Sequence, residues 1–351
     1  YSSFLTTESA QNNEYQSYVD LLFEFFNQLL EKTSTNEANK ASFYNFFRLF
    51  FKHVSFSFFY DNLGKVLEIA YSDISTSMNE SILLSSIHFL RTVLRREKKM
   101  KTTIGTNFPP FFNSSHFNLF IMPLIRVFSI LPDDEDNLDL DYIEYWNPHT
   151  ASQEMIAQFV DFFNEYSPKV LIPLISCLSS ENCDPERSVM TKFSFFENDF
   201  EMDSFIAIET SLFLLCLIIQ FSTNLPPTDF IITFIGTTLS SPSTRIRFAS
   251  IRALNCYLKR ELNTIENEAE FNEEEEEEEE GQIDGEINKE EEEELIDVQK
   301  KLTLLIPVLI EHVLDEHPII SLYSIRCIYN FSEFQFYGDQ FPTETIFPLF
   351  L

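Results

Sequence analysis

Glycine is scarce in this chain, with 6 residues in 351. The six are isolated, so the sequence lacks a glycine-rich phosphate loop and the Gly-x-Ser-x-Gly turn of many hydrolases. Alternating strand patterns with turn dipeptides are also scarce, which favours an all-α fold with no sheet. Acidic pairs occur in a loop with no apolar pocket indicated around them. The sequence therefore predicts a protein that is not an enzyme.

Basic residues are few, with 24 Lys and Arg against 56 Asp and Glu, and the net charge is −32. The segment 263–294 has 18 acidic residues and one lysine, a net charge of −17, which leaves −15 for the rest of the chain. Nucleic-acid binding requires basic groups that neutralise phosphates. We therefore expect no direct nucleic-acid binding, and we expect basic proteins as partners.

The cysteines show no metal-binding or disulfide pattern. An odd number of cysteines without tight spacing is typical of reduced thiols in the core of an intracellular protein. His312 and His317 lie five residues apart, whereas ligands on one helix face are usually four apart, and a polar helix end explains them as well. The sequence predicts no metal and no cofactor. The five cysteines are Cys177, Cys183, Cys216, Cys256 and Cys327.

The most apolar segment, 205–221, is short for a membrane span and contains Glu209 and Gln220. We interpret it as a buried central helix and expect no membrane insertion. Because the chain starts at Tyr1 and stops at Leu351 within an apolar run, we also expect it to be a piece of a longer protein.

One helical pattern occurs twice. Residues 246–257 and 320–331 have matching apolar positions at an offset of 74, and both contain Ser-Ile-Arg in register. Without the 32 residues of 263–294, the offset is 42, within the roughly 40–47-residue period of HEAT and armadillo repeats. Each copy follows another apolar helix, so the repeating unit is a helical pair that must stack on its neighbours. Leu254 and Ile328 are expected at equivalent buried positions.

Four prolines extend this pattern. Pro123, Pro173, Pro307 and Pro348 each lie within an apolar, helix-like run. Proline removes a backbone donor and kinks a helix. A proline by chance at a helix start explains any single case, but four in the same setting favour repeats with a proline in the first helix of each pair.

The predicted fold is a right-handed all-α solenoid of the HEAT/armadillo type, with about six to eight antiparallel helix pairs and no domain boundary within 1–351. Apolar periodicity defines the helices. The Phe-rich clusters at 43–59 and 193–200 are given no functional weight. Helices are predicted at 14–32, 39–52, 54–70, 79–98, 116–131, 150–165, 168–179, 202–221, 227–239, 243–261, 295–314 and 318–334, and from about 343.

The order of features after about residue 115 resembles the karyopherin-β family, the importin and exportin receptors of nuclear transport. The acidic stretch 133–136 is followed by Tyr142-Ile143 and the helix pair 150–165 and 168–179, then by a polar excursion at 180–200. The long apolar helix 202–221, the pair 227–239 and 243–261, the pair 302–314 and 318–334, and the run Phe347-Pro348-Leu349 complete the resemblance.

The resemblance implies a middle portion of a transport receptor that carries basic protein cargo in a cycle dependent on the small GTPase Ran. It also implies binding to Phe-Gly nucleoporins, and location in the cytoplasm and nucleus with transient presence at the nuclear envelope. Ran would contact mainly residues outside this chain. The alternative is a HEAT scaffold that organises an enzyme or chromatin complex without a transport role.

Two basic groups have alternative interpretations. The stretch 95–101 is either a nuclear-targeting patch or charge that complements a helix dipole at its C-terminal end, and we favour the dipole. Arg245, Arg247 and Arg252 could form a basic stripe. We interpret Arg247 as structural because an arginine at the start of the second helix usually pairs with acidic groups of the adjacent repeat in HEAT proteins.

The segment 263–294 is predicted to be a disordered acidic loop inserted between two repeats, because its Glu blocks repel one another and offer little to bury. It is either a solvated spacer or an acidic arm that attracts basic cargo. The predicted cargo-binding residues are its two Glu blocks: Glu273, Glu274, Glu275, Glu276, Glu277, Glu278, Glu279, Glu280, Glu290, Glu291, Glu292, Glu293 and Glu294.

Overall fold

The computed structural model of the chain describes most of the predicted helices. The predicted helix 14–32 (apart from four positions), the stretch 131–146, Cys183 and the predicted helix from 343 lie outside the described residues. The described residues are 37–53, 60–104, 111–130, 147–179, 185–195, 198–278 and 300–336, with the isolated positions 24, 25, 28, 32 and 298.

The chain divides into two compact units. The first comprises residues 1–135 and 140–163, and the second comprises 136–139 and 164–351. The prediction of one continuous solenoid over 1–351 stays a prediction.

The first unit contains five described helices in two rows. Helix α3 packs against both α1 and α5, while α2 packs against α4. Contacts of α2 with α3 and of α4 with α5 join the rows into helix pairs. The helices are α1 (Glu37–His53), α2 (Tyr60–Thr76), α3 (Glu80–Ile104), α4 (Ser114–Phe128) and α5 (Pro148–Phe162).

The second unit repeats this arrangement. The pairs are α6 with α7, α8 with α9, and α10 with α11, and the second helices α7, α9 and α11 pack in succession. A two-stranded hairpin lies between α6 and α7 in the sequence. The elements are α6 (Ser167–Leu178), β1 (Met190–Phe195), β2 (Asn198–Asp203), α7 (Ser204–Phe221), α8 (Thr228–Leu239), α9 (Thr244–Glu278), α10 (Ile306–Val313) and α11 (Pro318–Phe336).

These stacked pairs confirm the predicted all-α fold of the HEAT type. One predicted pairing is wrong, because α5 pairs with α4 and α6 pairs with α7, whereas 150–165 and 168–179 were expected to pair with each other. The prediction joined neighbours in sequence at a place where one helix pair ends and the next begins.

The 74-residue echo is confirmed by burial. Leu254 is 0% exposed and Ile328 is 3% exposed, and the other apolar positions of the echo are buried to a similar degree in both copies, although Ile251 is buried and Ile325 is half-buried. Ser250 and Ser324 are buried, and each donates to the backbone carbonyl four residues earlier. The side-chain amide of Asn330 on α11 donates to Oδ1 of Asn255 on α9 at 2.6 Å, within the buried interface.

Each proline of the echo that lies within the described residues is in the first helix of a pair. Pro123 is inside α4 and Pro173 is inside α6, while Pro307 lies in the first turn of α10. A helix was predicted over 295–314, but α10 begins only at Ile306. Proline at this position has no N–H with which to continue a preceding helix, so a turn at 304–305 separates α10 from the helical residues 300–303.

The prediction of no sheet is wrong. Strands β1 and β2 form an antiparallel hairpin in which Phe193 pairs with Phe200, and their rings stack at 5.5 Å. Along β1 exposed and buried side chains alternate, and Thr191, Phe193 and Phe195 face inward. This alternation with a period of two is typical of a strand. It overlaps the Phe-rich cluster 193–200, to which the sequence analysis gave no weight. Strand β1 packs on α6, and β2 packs on α7.

Three helices extend well beyond their predicted ends, and the first is α2, which continues to Thr76 instead of ending at 70. Helix α3 continues to Ile104, beyond its predicted end at 98, and α9 continues to Glu278 into the segment expected to be disordered. Glutamate has a high helix propensity, and extending an existing helix is far easier than starting one. The packed start of α9 therefore supports helix through 263–278. Residues 279–294 lie outside the described residues, where disorder stays a prediction.

Helix α7 is the central core helix of the second unit. Its length and apolar composition would suit a membrane span, but 72% of the helix is buried inside the protein. Asp203 starts the helix by accepting the N–H of Phe205 at 2.9 Å. Packing on α6 and α9 explains why it is apolar all round, as expected for a buried helix.

Candidate functional site

Helix α9 carries the candidate site, because it joins the repeat core to the acidic segment 263–294. An arginine near its start anchors it to the preceding repeat. The Arg245 guanidinium donates from Nη2 to Oε1 of Glu209 at 2.7 Å and from Nε to Oε2 at 2.9 Å. Both side chains are largely buried, and this forked geometry fixes direction as well as distance.

Arg247 anchors α9 to the following repeat. Its Nε lies 3.1 Å from Oδ2 of Asp315, in the turn between α10 and α11, and its Nη1 donates to the carbonyls of Ser241 and Pro242. The predicted structural role of Arg247 is confirmed. Burial by itself raises the pKa of Asp315, but the N–H of His317 and the guanidinium of Arg247 outweigh it, and the pKa is lowered.

Two of the three arginines that could form a basic stripe, Arg245 and Arg247, are therefore engaged in ion pairs between repeats. Arg245 pairs with the preceding repeat and Arg247 pairs with the following repeat, so α9 is held from both sides. Arg260, further along α9, donates to the carbonyls of Ile219 and Ser222 at the end of α7. These contacts fix the direction of the helix that leads into the acidic segment.

The predicted cargo-binding glutamates divide between two regions. Residues Glu273–Glu278 lie in the helical backbone of α9, whereas Glu279, Glu280 and Glu290–Glu294 lie outside the described residues. The core packing of α9 includes Leu258 and Leu262. The sixteen residues from 263 to 278 continue the helix by about 24 Å at 1.5 Å per residue. Cargo binding by these glutamates stays a prediction.

The basic stretch 95–101 connects two neighbouring second helices of the first unit. Arg95 on α3 contacts Oε1 of Glu154 and Oε1 of Gln158 on α5, each at 3.2 Å. Lys98 pairs with Asp161 on α5. Because α3 extends to Ile104, only Lys101 of the stretch lies in its last turn. The helix-dipole interpretation thus missed the pairs between α3 and α5.

An apolar groove of about 370 Å³ lies on the first unit. The rings of Phe25 and Phe46 meet edge to face at 6.2 Å, and they are 49% and 39% exposed. Such a surface can accept another aromatic side chain. The remaining lining residues are Gln28, Lys32, Asn39, Ser42 and Phe43.

His312 takes part in contacts between repeats. Its Nε2 lies 2.9 Å from the carbonyl oxygen of Leu239 on α8, and its Nδ1 lies 3.5 Å from Oδ2 of Asp315. Among the described residues, no group of three or more metal-ligating side chains comes together.

Two thiols that the sequence analysis treated as scattered come together. Sγ of Cys216 on α7 lies 3.0 Å from Sγ of Cys256 on α9, and both are free thiols. Their offset of 40 residues is close to one repeat period, and they lie on the consecutive second helices α7 and α9. This offset was the one signal in the sequence that could have indicated that the two cysteines meet.

The fold is similar to that of a chain in the solved structure of the Kap95:Nup1 complex. The TM-score is 0.55 at 9% sequence identity. The match covers 97% of this chain and 33% of that chain, so this chain spans about a third of the length of the protein it matches. At this identity the likeness shows the fold alone, a karyopherin-like helical solenoid. No family model and no curated protein match the sequence.

Proposed function

We propose that the chain is a protein-binding part of a nuclear transport receptor, which carries basic cargo in a Ran-dependent cycle. The observation that carries this proposal is α9, a helix held on both sides by Arg245 and Arg247 that continues into the dense acidic segment. Stacked helical repeats present extended binding surfaces, and glutamates at this density attract Lys- and Arg-rich chains.

The fold supports this proposal over other protein-binding architectures. The solved complex with the similar fold joins Kap95 to Nup1. For this chain, we propose Phe-Gly nucleoporins as partners, with Ran contacting mainly residues beyond this chain. The groove at Phe25, Phe43 and Phe46 has the chemistry to accept a phenylalanine ring. Location in the cytoplasm and nucleus, with passage through the nuclear envelope, follows from this role.

The proposal assigns no catalytic step and no cofactor. It also includes no direct binding of nucleic acid, because the net charge of −32 repels phosphates. The alternative function is a HEAT scaffold for an enzyme or chromatin complex. Such a scaffold would use the same stacked repeats and acidic segment to hold a basic partner, without Ran or nucleoporins.

Binding assays on the 351-residue chain separate these functions. A Lys/Arg-rich peptide, a Phe-Gly peptide and GTP-locked Ran are each titrated against the intact protein and against a variant in which 266–294 is replaced by a Gly/Ser segment of equal length. We expect the replacement to weaken binding of the basic peptide. It should also flatten the salt dependence as the screening length falls from about 10 Å at 0.1 M to about 3 Å at 1 M.

A matched pair of variants tests the groove. Phe46→Ala should weaken binding of the Phe-Gly peptide and leave the basic peptide unaffected, while Leu119→Ala, at another exposed apolar position, should change neither. Basic-peptide binding without Phe-Gly binding would favour the scaffold, whereas a lack of Ran binding alone would favour neither function, because Ran is proposed to contact mainly residues beyond this chain. Equal affinity and salt slope in the intact and replaced proteins would make the acidic segment a spacer.

A further inference from the structure

Cys216 and Cys256 form a close thiol pair between two repeats. Their sulfur atoms are 3.0 Å apart, across the interface of α7 and α9. Cys216 is only 2% exposed, whereas Cys256 is half-buried beside the exposed residue Gln220, whose side-chain amide lies 3.2 Å from its sulfur. A small solute can therefore reach Cys256 at the rim, with Cys216 behind it.

The surroundings activate Cys256 in particular. A hydrogen bond from the Cys216 thiol lowers the pKa of Cys256 to about 7, against the opposing effect of burial, and the positive charges of Arg252 and Lys259 on α9 contribute. The same pairing, with burial, raises the pKa of Cys216. On the α11 side lies Cys327, a fully buried thiol that donates to the carbonyl of Ile251.

We propose that Cys216 and Cys256 are a peroxide-oxidised dithiol site that closes to a disulfide between consecutive repeats. The Cys256 thiolate attacks one oxygen of hydrogen peroxide, forming an S–O bond as the O–O bond breaks. The departing hydroxide takes up a proton and becomes water. The Cys216 sulfur then attacks the sulfenic sulfur of Cys256 and loses its proton, and the sulfenic hydroxyl leaves as a second water. Both sulfurs are oxidised, and the peroxide is reduced.

The disulfide would join α7 to α9 covalently. Low-pKa, accessible cysteines next to a resolving thiol are the typical sites of reversible oxidation. Because the two helices belong to neighbouring repeats, the bond would prevent these repeats from separating. Helix α9 is also the helix that carries the acidic segment, but the thiol chemistry does not depend on the proposed function.

Oxidation of the native 351-residue protein tests the site. After a short treatment with hydrogen peroxide, intact mass should show the loss of two hydrogen atoms, and peptide mapping should link Cys216 to Cys256. The melting temperature should rise and return on reduction. At neutral pH, Cys256 should react about three- to tenfold faster than Cys177, because its larger thiolate fraction outweighs its lower nucleophilicity.

Single variants distinguish the two thiols. Cys216→Ser should leave a sulfenic acid on Cys256 that dimedone traps, whereas Cys256→Ser should protect Cys216 from oxidation. Cys177→Ser is the matched control and should form the linkage at the native rate. The proposal is overturned if the linkage forms only in denaturant, or if Cys216 is oxidised as fast in Cys256→Ser as in the intact protein.

Discussion

Glu97 is a buried carboxyl group that holds the start of α4 from the neighbouring helix α3. Its two oxygens accept the backbone N–H of Phe112 at 3.0 and 3.1 Å, and the residue is 1% exposed. Burial raises the pKa of Glu97 to about 7, although the N–H groups of Phe112 and Phe111 and the charge of Lys101 oppose this. Between pH about 4.5 and pH about 7, the carboxyl group of Glu97 therefore stays protonated in the folded protein, whereas in the unfolded chain it has lost its proton.

The sign of the resulting pH dependence follows from this difference. Between pH about 4.5 and pH about 7 the folded state binds more protons than the unfolded state at this residue. The contribution of Glu97 to stability therefore falls as pH rises through that window. In Glu97→Gln this decline should disappear, so its free energy of unfolding should rise relative to wild type between pH 4.5 and 7.

Urea unfolding at several pH values measures this effect. Glu68→Gln, at an exposed position on α2, is the matched control and should follow the wild-type pH profile. Parallel profiles for Glu97→Gln and wild type would show that the carboxyl group titrates normally in the fold.

At the scale of elements, ion pairs between repeats hold α9 in place. The Arg247–Asp315 pair is largely buried, with side-chain exposures of 17% and 7%. A double-mutant cycle with Arg247→Ala and Asp315→Ala should give a coupling energy of about 1–3 kcal/mol. The exposed pair Lys192–Glu201 of the hairpin is the control, and its coupling should stay below about 1 kcal/mol.

This coupling should also depend on acidity. The pKa of Asp315 is lowered in the fold, so its stabilising contribution is present above the ordinary Asp range and is lost as pH falls through the folded value. A coupling energy no larger than that of Lys192–Glu201 at neutral pH would show that the Arg247–Asp315 pair does not stabilise the fold.

The helices and their repeat period could be predicted from the sequence because apolar spacing reports directly which face is buried. The echo at Leu254 and Ile328 is the best case. The hairpin at Phe193 and Phe200 was missed because its alternation is short and lies within a Phe-rich cluster. The pairing of α5 was misassigned because two helices that adjoin in sequence do not always form a pair, and here α5 ends one pair while α6 begins the next.

The candidate site was less predictable. The acidic segment is obvious from charge, but the helix that continues into it depends on how firmly the start of α9 is packed. The meeting of Cys216 and Cys256 depends on the tertiary stacking of α7 and α9. A repeat-period offset between two cysteines points to such a meeting only once the repeat register is known.

At the scale of the whole molecule, the acidic segment should be dispensable for stability. Deleting 266–294 removes helical residues 266–278 but leaves the described core of α9, including Leu258 and Leu262. A shorter connection costs little loop entropy, and self-repulsion decreases. We expect a modest loss of helical circular dichroism and an unchanged melting temperature.

Leu254→Ala provides the contrast, because it opens a cavity at a fully buried position and should cost about 2–5 kcal/mol. A deletion that destabilises the protein as much as Leu254→Ala would mean that the acidic segment packs against the repeats.

The buried amide pair between Asn255 and Asn330 has a consequence for how the repeats recognise their correct neighbours. Repeats with similar apolar faces could slide along one another or stack out of order at little cost. In any such arrangement at least one of these amides would lie in an apolar interface without its 2.6 Å partner, at a cost of about 1–3 kcal/mol. This single polar contact therefore favours one alignment of α11 on α9 over the others.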